Sequence, residues 1–459
     1  MTTSSRTSRE RRVPFPRHWG LRAGDAYAFV ALNAVVIGLM WVRHGGPNQL
    51  NTAAGVFTAV GQLAALYGTF LALVQLVLAS RSPYLDEVFG TDRLMWLHRW
   101  GGFATVWLLV GHFVFTTFGY GMGDGSGVVA EFGTFLTVYP YVVWAFVALL
   151  LFVAVAVISV RRARRAMSYE TWYGIHLLMY VAVALAFLHQ FAVGSDFIAD
   201  RVARIYWVGL YALTIGSIVV WRIGQPLVLS IRHRLRVANV VEEGPDVVSI
   251  YLTGRDLDKL AVRAGQWFLF RFLTRDGWYR AHPFSISAAP NGQFLRVTVK
   301  ALGDYTRRLQ QVRVGTPVFA EGPYGILTSA HRTKERVVLI AAGIGIAPLR
   351  AILEDLPAGG GAVTLVYRAS RPEDLVLRDE VDALARMRGT TVHYLVGRRG
   401  SSQMPHDPLQ PSALRSLVPD IAQCDVFVCG PDTMMDTVHR TLRTLRVPAS
   451  QVHLERFTY

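Results

Sequence analysis

The sequence has 459 residues, of which 52% are hydrophobic and 17% are charged, and its mean hydropathy is +0.31. This composition is too apolar for an ordinary soluble enzyme, and the length allows two or three domains. The formal net charge is +15. Because the basic residues gather at the N-terminus, beside apolar segments and in the C-terminal half, they favour a membrane surface over a nucleic acid as partner.

The sequence contains two cysteines, Cys424 and Cys429. Two cysteines exclude a disulfide framework and a cysteine-held zinc or iron–sulfur site, and we expect both to be reduced thiols. Several arginines precede the first apolar run, among them Arg6, Arg9, Arg11, Arg12 and Arg17. No small-residue cleavage site follows them, so residues 1–24 are interpreted as a basic cytoplasmic tail and not as a signal peptide.

Six apolar stretches are long enough to span a bilayer: 26–42, 54–79, 94–118, 138–160, 171–192 and 205–221. The stretch 161–165 reads Arg-Arg-Ala-Arg-Arg, whereas the loop 119–137 carries Asp124 and Glu131 and no lysine or arginine. The positive-inside rule therefore places the first on the cytoplasmic face and the second outside. The prediction is a multi-pass, six-helix transmembrane domain over 25–222 in the cell membrane, with both termini cytoplasmic.

The pattern of apolar residues changes after Arg222. Strand-like runs at 246–252, 267–272 and 294–299, separated by turn residues, predict an antiparallel β-barrel over 232–330. From 331 to 459, apolar strands alternate with helical stretches, which is typical of a parallel α/β nucleotide-binding sheet. The predicted strands of that sheet are 337–341, 363–367, 392–396 and 425–429.

Four histidines lie within predicted spans: His98 and His112 in the third, His176 and His189 in the fifth. Ionisable groups in a bilayer are costly and indicate function. Their spacings of 14 and 13 residues correspond to about 21 and about 20 Å along a helix. Since both spans start in the cytosol, His98 is level with His176 and His112 with His189.

Two levels of facing histidines suit two bis-imidazole b-type haems, with one ligand from each helix at each level. A 13-residue step falls well off one face of an ideal helix, so the fifth span is expected to be distorted or tilted. The alternative is that the four are hydrogen-bonded structural histidines between helices. Their matched depths favour the haem hypothesis.

This pattern resembles the ferric reductase and NADPH oxidase superfamily, whose six-helix domain carries paired histidines on its third and fifth helices. The resemblance implies the same pairing here, His98 with His176 and His112 with His189, as ligands of haem iron.

Two motifs in the predicted barrel suit a flavin. His282-Pro283-Phe284-Ser285 follows Arg280, and Gly303-Asp304-Tyr305-Thr306 follows Lys300. An aromatic ring, a hydroxyl and a Gly-led basic turn match the isoalloxazine and pyrophosphate of FAD, although each fragment alone is more often plain barrel structure. In this order they resemble the superfamily's FAD motif. That resemblance implies that Phe284 stacks on the flavin, Ser285 bonds it, and His282 with Arg280 approaches the phosphates.

A Gly-rich turn marks the predicted nicotinamide site. Gly343-Ile344-Gly345, followed by Pro348, comes after an apolar strand and opens a helix, as pyrophosphate binding requires. Gly322-Pro323 upstream and Cys429-Gly430-Pro431 downstream lie at the expected strand edges. The ordered set resembles the ferredoxin-reductase type of NAD(P)H domain. The resemblance implies that Cys429 lies near the nicotinamide, a packed thiol being the alternative, and that Phe457 or Tyr459 covers the flavin.

Arg368, Ser370 and Arg371 follow the strand 363–367, where a nucleotide-binding sheet meets the adenosine ribose. Arginine and serine can hold a 2′-phosphate, whereas an acidic residue would favour NADH. The first acidic residues, Glu373 and Asp374, come after Pro372. The hypothesis is therefore a preference for NADPH, with NADH possible, and the alternative is a solvated basic loop.

The predicted function is electron transfer from cytosolic NAD(P)H through FAD and two b-type haems to a small extracytoplasmic acceptor, either oxygen or a ferric chelate. No side chain is nominated as a catalytic acid, base or nucleophile. Two alternatives stay open: an ion channel that uses the intramembrane histidines, and a haem-containing membrane subunit that delivers electrons to a quinone or a periplasmic partner.

Overall fold

The computed structural model describes residues 22–160, 164, 166–198, 200–357, 363–398, 400, 404 and 406–456. They form two compact units, one of residues 22–89 and 93–223 and the other of residues 90–92 and 224–456. The predicted basic tail up to residue 21 and four residues of the stretch 161–165 lie outside the described part of the chain.

Six helical stretches in the described residues are long and apolar enough to cross a bilayer. They are span 1 (Ala23–Arg43), span 2 (Ala53–Ala79), span 3 (Thr91–Gly123), span 4 (Val142–Ser159), span 5 (Glu170–Val193) and span 6 (Arg201–His233). Short helices at Pro83–Phe89 and Ser195–Ile198 lie in the connections. Large apolar side chains such as Trp107 and Leu39 are exposed on the spans, as contact with lipid requires. The prediction of six spans is confirmed.

The segment predicted as the loop 119–137 is largely helical. Span 3 continues to Gly123, and a further helix covers Val128–Thr137. The ring of Phe132 on that helix lies 5.5 Å from Phe113 and 5.2 Å from Phe146. Residues 124–141 connect spans 3 and 4, as predicted, and the aromatic packing adds a helix that the charges and glycines of the segment did not indicate.

Six antiparallel strands follow in the described part of the second unit: β1 (Arg236–Gly244), β2 (Val247–Thr253), β3 (Trp267–Phe272), β4 (His282–Ser285), β5 (Leu295–Lys300) and β6 (Val318–Tyr324). They form two sheets, ordered β1-β2-β5 and β4-β3-β6. Isolated bridges pair Arg236 with Pro317 and Ile286 with Val297, joining the edges of the two sheets. A shared core that includes Phe268, Phe270 and Phe272 lies between them. This topology is consistent with the predicted barrel.

A parallel sheet makes up the rest of this unit, with β7 (Val337–Ala342), β8 (Val363–Ala369), β9 (Thr391–Val396), β10 (Asp425–Cys429) and β11 (Val452–Glu455). The strand order is β11-β10-β7-β8-β9, so the chain changes direction between β7 and β10. Helices at Ile346–Asp355, Arg378–Arg388, Pro411–Leu417 and Asp432–Thr444 accompany the sheet. In such sheets, ligands bind at the carboxyl ends of the strands where the order reverses.

An ion-pair network connects the antiparallel strands to the parallel sheet's helices. Arg296 on β5 is 3% exposed and donates hydrogen bonds to both carboxylate oxygens of Glu380, at 2.7 and 2.9 Å. Arg350 forms a second ion pair with Glu380 at 2.8 Å. Burial raises the pKa of Glu380, but the hydrogen bonds and charges of the two arginines outweigh it, so the net shift is downward. The network therefore stabilises the fold above the ordinary glutamate pKa.

Replacing Glu380 by Gln should destabilise the second unit by roughly 3 kcal/mol, because the buried Arg296 loses its countercharge. The loss can be measured as a lower denaturant midpoint for protease cleavage within residues 236–456. Since the folded-state pKa of Glu380 is depressed, the difference from the native protein should shrink as the pH falls through that pKa.

Glu373→Gln is the matched control. It removes an exposed carboxylate that pairs with Arg371 at 3.7 Å, which should cost less than about 1 kcal/mol. Equal losses in the two variants would contradict a special contribution from the buried network.

Candidate redox cofactor sites

Span 5 has an irregularity at Leu177, between the helical stretches Tyr169–His176 and Leu178–Val193. Leu177 keeps a right-handed helical backbone, with φ of −63° and ψ of −18°, so the helix is locally distorted and not broken. The irregularity falls between His176 and His189, whose 13-residue spacing does not suit a single straight helix face.

His98 and His176 face each other across spans 3 and 5. Their ring centroids are 5.9 Å apart, with an interplanar angle of 67°. Two imidazoles on one iron place their centroids about 6 Å apart. The buried Nδ1 atoms of both rings have no hydrogen-bond partner among the described residues. This pair is therefore not held as an ordinary hydrogen-bonded pair of structural histidines.

His112 and His189 form the second level and are close enough to interact electrostatically. The Nδ1 of His112 lies 3.0 Å from the backbone carbonyl oxygen of Gly61 and 3.1 Å from the hydroxyl of Thr116. The buried Nδ1 of His189 has no partner in the described part of the chain. A carbonyl that accepts a hydrogen bond from the distal ring nitrogen fixes the orientation of a ligating imidazole.

The set of donor side chains at the histidines fits a haem better than a bare ion. Within the described residues no three His, Cys, Asp or Glu side chains converge on a metal site, so two imidazoles at a level need a ligand system that completes the coordination. Gly102 lies one turn from His98, and a Cβ added there would meet no atom within 4 Å. Apolar side chains pack between the two levels: Val106, Leu109, Ala148, Phe152, Met179 and Ala182.

The predicted flavin motif His282–Ser285 is strand β4, paired with β3. The ring of His282 stacks on Tyr305 at 4.0 Å, and burial raises the pKa of Tyr305 to about 12. Phe284 is partly buried and packs against the core of the antiparallel sheets. The hydroxyl of Ser285 is buried without a hydrogen-bond partner among the described residues. An unsatisfied buried hydroxyl costs about 1–3 kcal/mol, so a ligand that bonds it fits this position.

The other predicted phosphate residues have protein partners. Lys300 pairs with Asp374 at 3.7 Å, and the exposed Asp304 pairs with Arg307 at 3.2 Å. The hydroxyl of Thr306 accepts hydrogen bonds from the backbone N–H groups of residues 302 and 303, at 2.9 and 3.0 Å. Thr306 therefore shapes the Gly303 turn. The Arg280 guanidinium lies 5.5 Å from the ring of Tyr279.

The Gly-rich turn lies at the carboxyl end of β7, where the strand order reverses. Gly343 has φ of +53°, and a Cβ there would meet open space. A Cβ on Gly345 would lie 2.3 Å from the carbonyl oxygen of Cys429 and 2.8 Å from the N–H nitrogen of Gly430. The structure thus brings together the two predicted nucleotide motifs, the first leading to Pro348 in the helix Ile346–Asp355 and the second continuing into Pro431.

A continuous row of contacts connects the flavin motif to this turn. Trp267 on β3 pairs with Ser285 on one side and Tyr324 on the other. A Cβ on Gly325 would lie 2.5 Å from a carboxylate oxygen of Glu455 and 2.8 Å from Trp267. Glu455 in turn pairs in register with Cys429. Sequence reasoning missed Trp267 and Glu455, because neither belongs to a glycine or His-Pro-Phe-Ser motif.

Gly322 and Pro323 lie within β6, and the carbonyl oxygen of Gly322 accepts a hydrogen bond from Gln225 at 2.6 Å. Cys429 is fully buried at the end of β10. Burial and, to a smaller extent, the nearby Glu455 raise the pKa of its thiol well above the ordinary value. Cys429 is therefore a neutral thiol and does not supply a thiolate.

The predicted ribose site lies after β8. Arg368 is on the strand, and Ser370 and Arg371 follow it, with the Arg371 side chain 58% exposed and 3.7 Å from Glu373. An exposed pair of this kind is weak and leaves the guanidinium able to exchange partners. Phe457 and Tyr459, predicted to cover the flavin, lie outside the described residues.

Three protein families match consecutive parts of the chain. Residues 64–187 match the ferric reductase like transmembrane component, residues 232–328 an FAD-binding domain, and residues 339–440 an oxidoreductase NAD-binding domain. The first match contains three of the four intramembrane histidines, His98, His112 and His176, and ends two residues before His189. The other two contain the flavin and nucleotide motifs.

Curated relatives match the second unit. The ferredoxin reductase component of 3-ketosteroid-9-alpha-monooxygenase from Rhodococcus rhodochrous is 32% identical over 233 residues, 49% of this chain and 64% of that protein. The chain thus spans somewhat less than two thirds of that relative's length. Ferredoxin–NADP reductase B from Sorangium cellulosum is 33% identical over 210 residues, 42% of this chain and 84% of that protein.

Among solved structures, the FAD/NAD binding domain of a nitric oxide dioxygenase from Vibrio cholerae is 24% identical, with 49% of this chain and 98% of that chain covered and a TM-score of 0.40. A ferredoxin NADP+ reductase from Neisseria gonorrhoeae is 17% identical, with 49% and 98% covered and a TM-score of 0.42. The family assignment rests on the three family matches and on the relative from Sorangium cellulosum. The chain belongs to the ferric reductase and NADPH oxidase superfamily and carries ferredoxin-reductase-type FAD- and NAD-binding domains.

Proposed function

We propose that this protein is a transmembrane NAD(P)H oxidase or ferric reductase-type oxidoreductase that moves electrons from cytosolic NAD(P)H to an extracytoplasmic acceptor. FAD supplies the conversion of a two-electron hydride into single electrons, and two b-type haems supply one-electron carriers across the bilayer. The observation that carries the proposal is the facing of His98 and His176 at 5.9 Å, with a second histidine pair on the same two spans.

The four histidines are the proposed iron ligands. His98 and His176 would hold the inner haem, and His112 and His189 the outer one. The apolar packing between the levels excludes water from the path, and the protein's own contribution is to hold each imidazole at a fixed depth. Two levels are needed because a bilayer core is about 30 Å thick and electron tunnelling fades steeply with distance.

In the second unit, the Ser285 hydroxyl is proposed to bond the isoalloxazine edge, with Phe284 beside its ring and His282 and Arg280 toward the phosphates. The Gly343–Gly345 turn and the Gly430-Pro431 turn would receive the nucleotide pyrophosphate and nicotinamide. Their convergence at the reversal of the strand order supports this assignment. No side chain is required as a general base.

The proposed domains are the transmembrane domain 25–222, a barrel FAD domain 232–330 and an α/β NAD(P)H domain 331–459, after a tail of residues 1–24. Both termini would be cytoplasmic, from the basic stretch 161–165. The acceptor would be oxygen or a ferric chelate. If His112 and His189 both held the outer haem, its iron would have no position left for a bound substrate, so the haem would supply one-electron transfer to an acceptor outside its coordination shell.

Anaerobic reduction tests the proposal as a whole. Purified protein supplied with FAD and haem should show a b-type Soret band, and NADPH should reduce both haems without quinol. Adding oxygen or a ferric chelate should reoxidise them. A protein that binds no haem, or whose haems respond to quinol and not to NADPH, would contradict the proposed function.

Replacing His189 by Leu should remove the outer haem alone, because that residue shares its coordination with His112 and not with the inner pair. NADPH should still reduce the remaining haem, while transfer to an external acceptor falls sharply. Haem content per chain and the reduced spectrum measure this. Loss of both haems in folded, flavin-containing protein would refute the pairing.

Arg371→Ala tests the nucleotide preference. If Arg371 holds the 2′-phosphate, its loss should weaken NADPH binding by roughly 1.5–3 kcal/mol, the range for a hydrogen bond to a charged group. NADH kinetics should hardly change. Arg386→Ala, which removes another exposed arginine, serves as control. Equal losses of binding affinity for NADPH and NADH, or a preference of the native protein for NADH, would show that this loop does not bind the 2′-phosphate.

A further inference from the structure

The four intramembrane histidines are not equivalent. Only the Nδ1 of His112 has hydrogen-bond partners in the described residues, whereas the buried Nδ1 atoms of His98, His176 and His189 have none. The carbonyl oxygen of Gly61 can only accept, so its hydrogen bond with His112 forms when Nδ1 carries the proton. In that tautomer the lone pair of His112 lies on Nε2, the atom that would bind iron.

The contact depends on the absence of a side chain at residue 61. A Cβ on Gly61 would lie 2.4 Å from the hydroxyl oxygen of Thr116 and 2.8 Å from its backbone nitrogen. A Cβ on Gly119, one turn further along span 3, would lie 2.6 Å from the backbone nitrogen of Thr58. Spans 2 and 3 thus approach backbone to backbone here, as small residues allow in membranes. Any larger residue at 61 must separate the helices and stretch the 3.0 Å bond.

The backbone of Gln75, 14 residues after Gly61 on span 2, interacts with His98 at the other level. That contact does not reach hydrogen-bond geometry at Nδ1, whereas the contact of His112 with Gly61 does. A hydrogen bond from the distal nitrogen to a carbonyl makes an imidazole a more basic ligand. A more basic axial ligand stabilises ferric over ferrous iron and lowers the reduction potential. The hydrogen bond to Gly61 would therefore make His112 a stronger iron ligand than an imidazole without such a bond.

We propose that Gly61 is a positioning residue that sets the potential of the outer haem: its carbonyl holds His112 in the Nδ1–H form and strengthens it as an iron ligand. The inference rests on the proposed haem function and adds to it a residue outside the ligand set. A lower outer potential gives the last carrier a greater driving force toward the external acceptor. Gly61 would lower the potential through its hydrogen bond with His112, without contacting the iron.

Gly61→Ala in the full-length, haem-loaded protein tests the proposal, with Gly68→Ala as matched control. Gly68 lies two turns away on span 2, and its added Cβ would meet the flexible end of Leu109 at 3.1 Å, with no histidine involved. Redox titration resolves the two haems, and the spectrum of the His189→Leu protein assigns the outer one. Gly61→Ala should keep two haems and raise the midpoint potential of the outer one only. Gly68→Ala should change neither.

Two haems with unchanged potentials in Gly61→Ala, or equal shifts of both, would overturn the proposal. If Gly61→Ala does not assemble, the double variant Gly61→Ala/Thr116→Ala is used instead, because it removes the closest clash. Its reference protein is the single variant Thr116→Ala. A higher outer potential in the double variant than in the single variant supports the role of Gly61, and equal outer potentials refute it. Failure of the native protein to bind haem would instead contradict the proposed function.

Discussion

The burial of four imidazoles in apolar, membrane-spanning helices constrains the rest of the first unit. A polar ring in hydrocarbon needs a partner, and three of the four have no hydrogen bond to the described protein at Nδ1. Pairing across spans 3 and 5 at two depths would give each ring a partner at its other nitrogen, Nε2, if each pair shares an iron. The irregularity of span 5 at Leu177 lies between its two histidines, and the close approach at Gly61 brings a backbone carbonyl to His112.

The second unit has a different requirement under the proposed function, which is to hold a flavin and a nicotinamide in contact. Cys429 is buried, and burial raises the pKa of its thiol well above the ordinary value. What the protein provides is relative orientation. The Arg296–Glu380–Arg350 network fixes the antiparallel strands against the helices of the parallel sheet. The row from Ser285 through Trp267 and Gly325 to Glu455 continues that alignment to the strand ends.

Local patterns in the sequence were sufficient for the elements and for most motif positions. The six spans follow from hydropathy, the strands from short apolar runs, and the glycine turn from its place between a strand and a helix. Spacing alone indicated that the fifth span is distorted. The starting point of span 4 was missed by four residues, because the backbone turns at Tyr141, whose φ is +63°, just after Pro140.

Contacts between segments distant in the sequence could not be predicted from local sequence patterns. Gly61 is one of many glycines in the sequence, and its proposed role depends on its contact with His112, which is 51 residues away. Arg296 and Glu380 are separated by 84 residues, and neither stands in a recognisable motif. The helix Val128–Thr137 depends on aromatic rings from spans 3 and 4. The sequence indicated candidate groups, and tertiary packing determines the contacts that each of them makes.

The most direct measurement uses sealed vesicles that contain the haem- and FAD-loaded protein, with a ferric chelate that cannot cross the membrane trapped inside. NADPH is added outside, where it reaches only molecules whose second unit faces outward, a fraction counted by protease digestion. The account predicts that the trapped chelate is reduced in proportion to that fraction. Reduction of an external chelate alone, with the trapped chelate left ferric, would contradict electron transfer across the membrane.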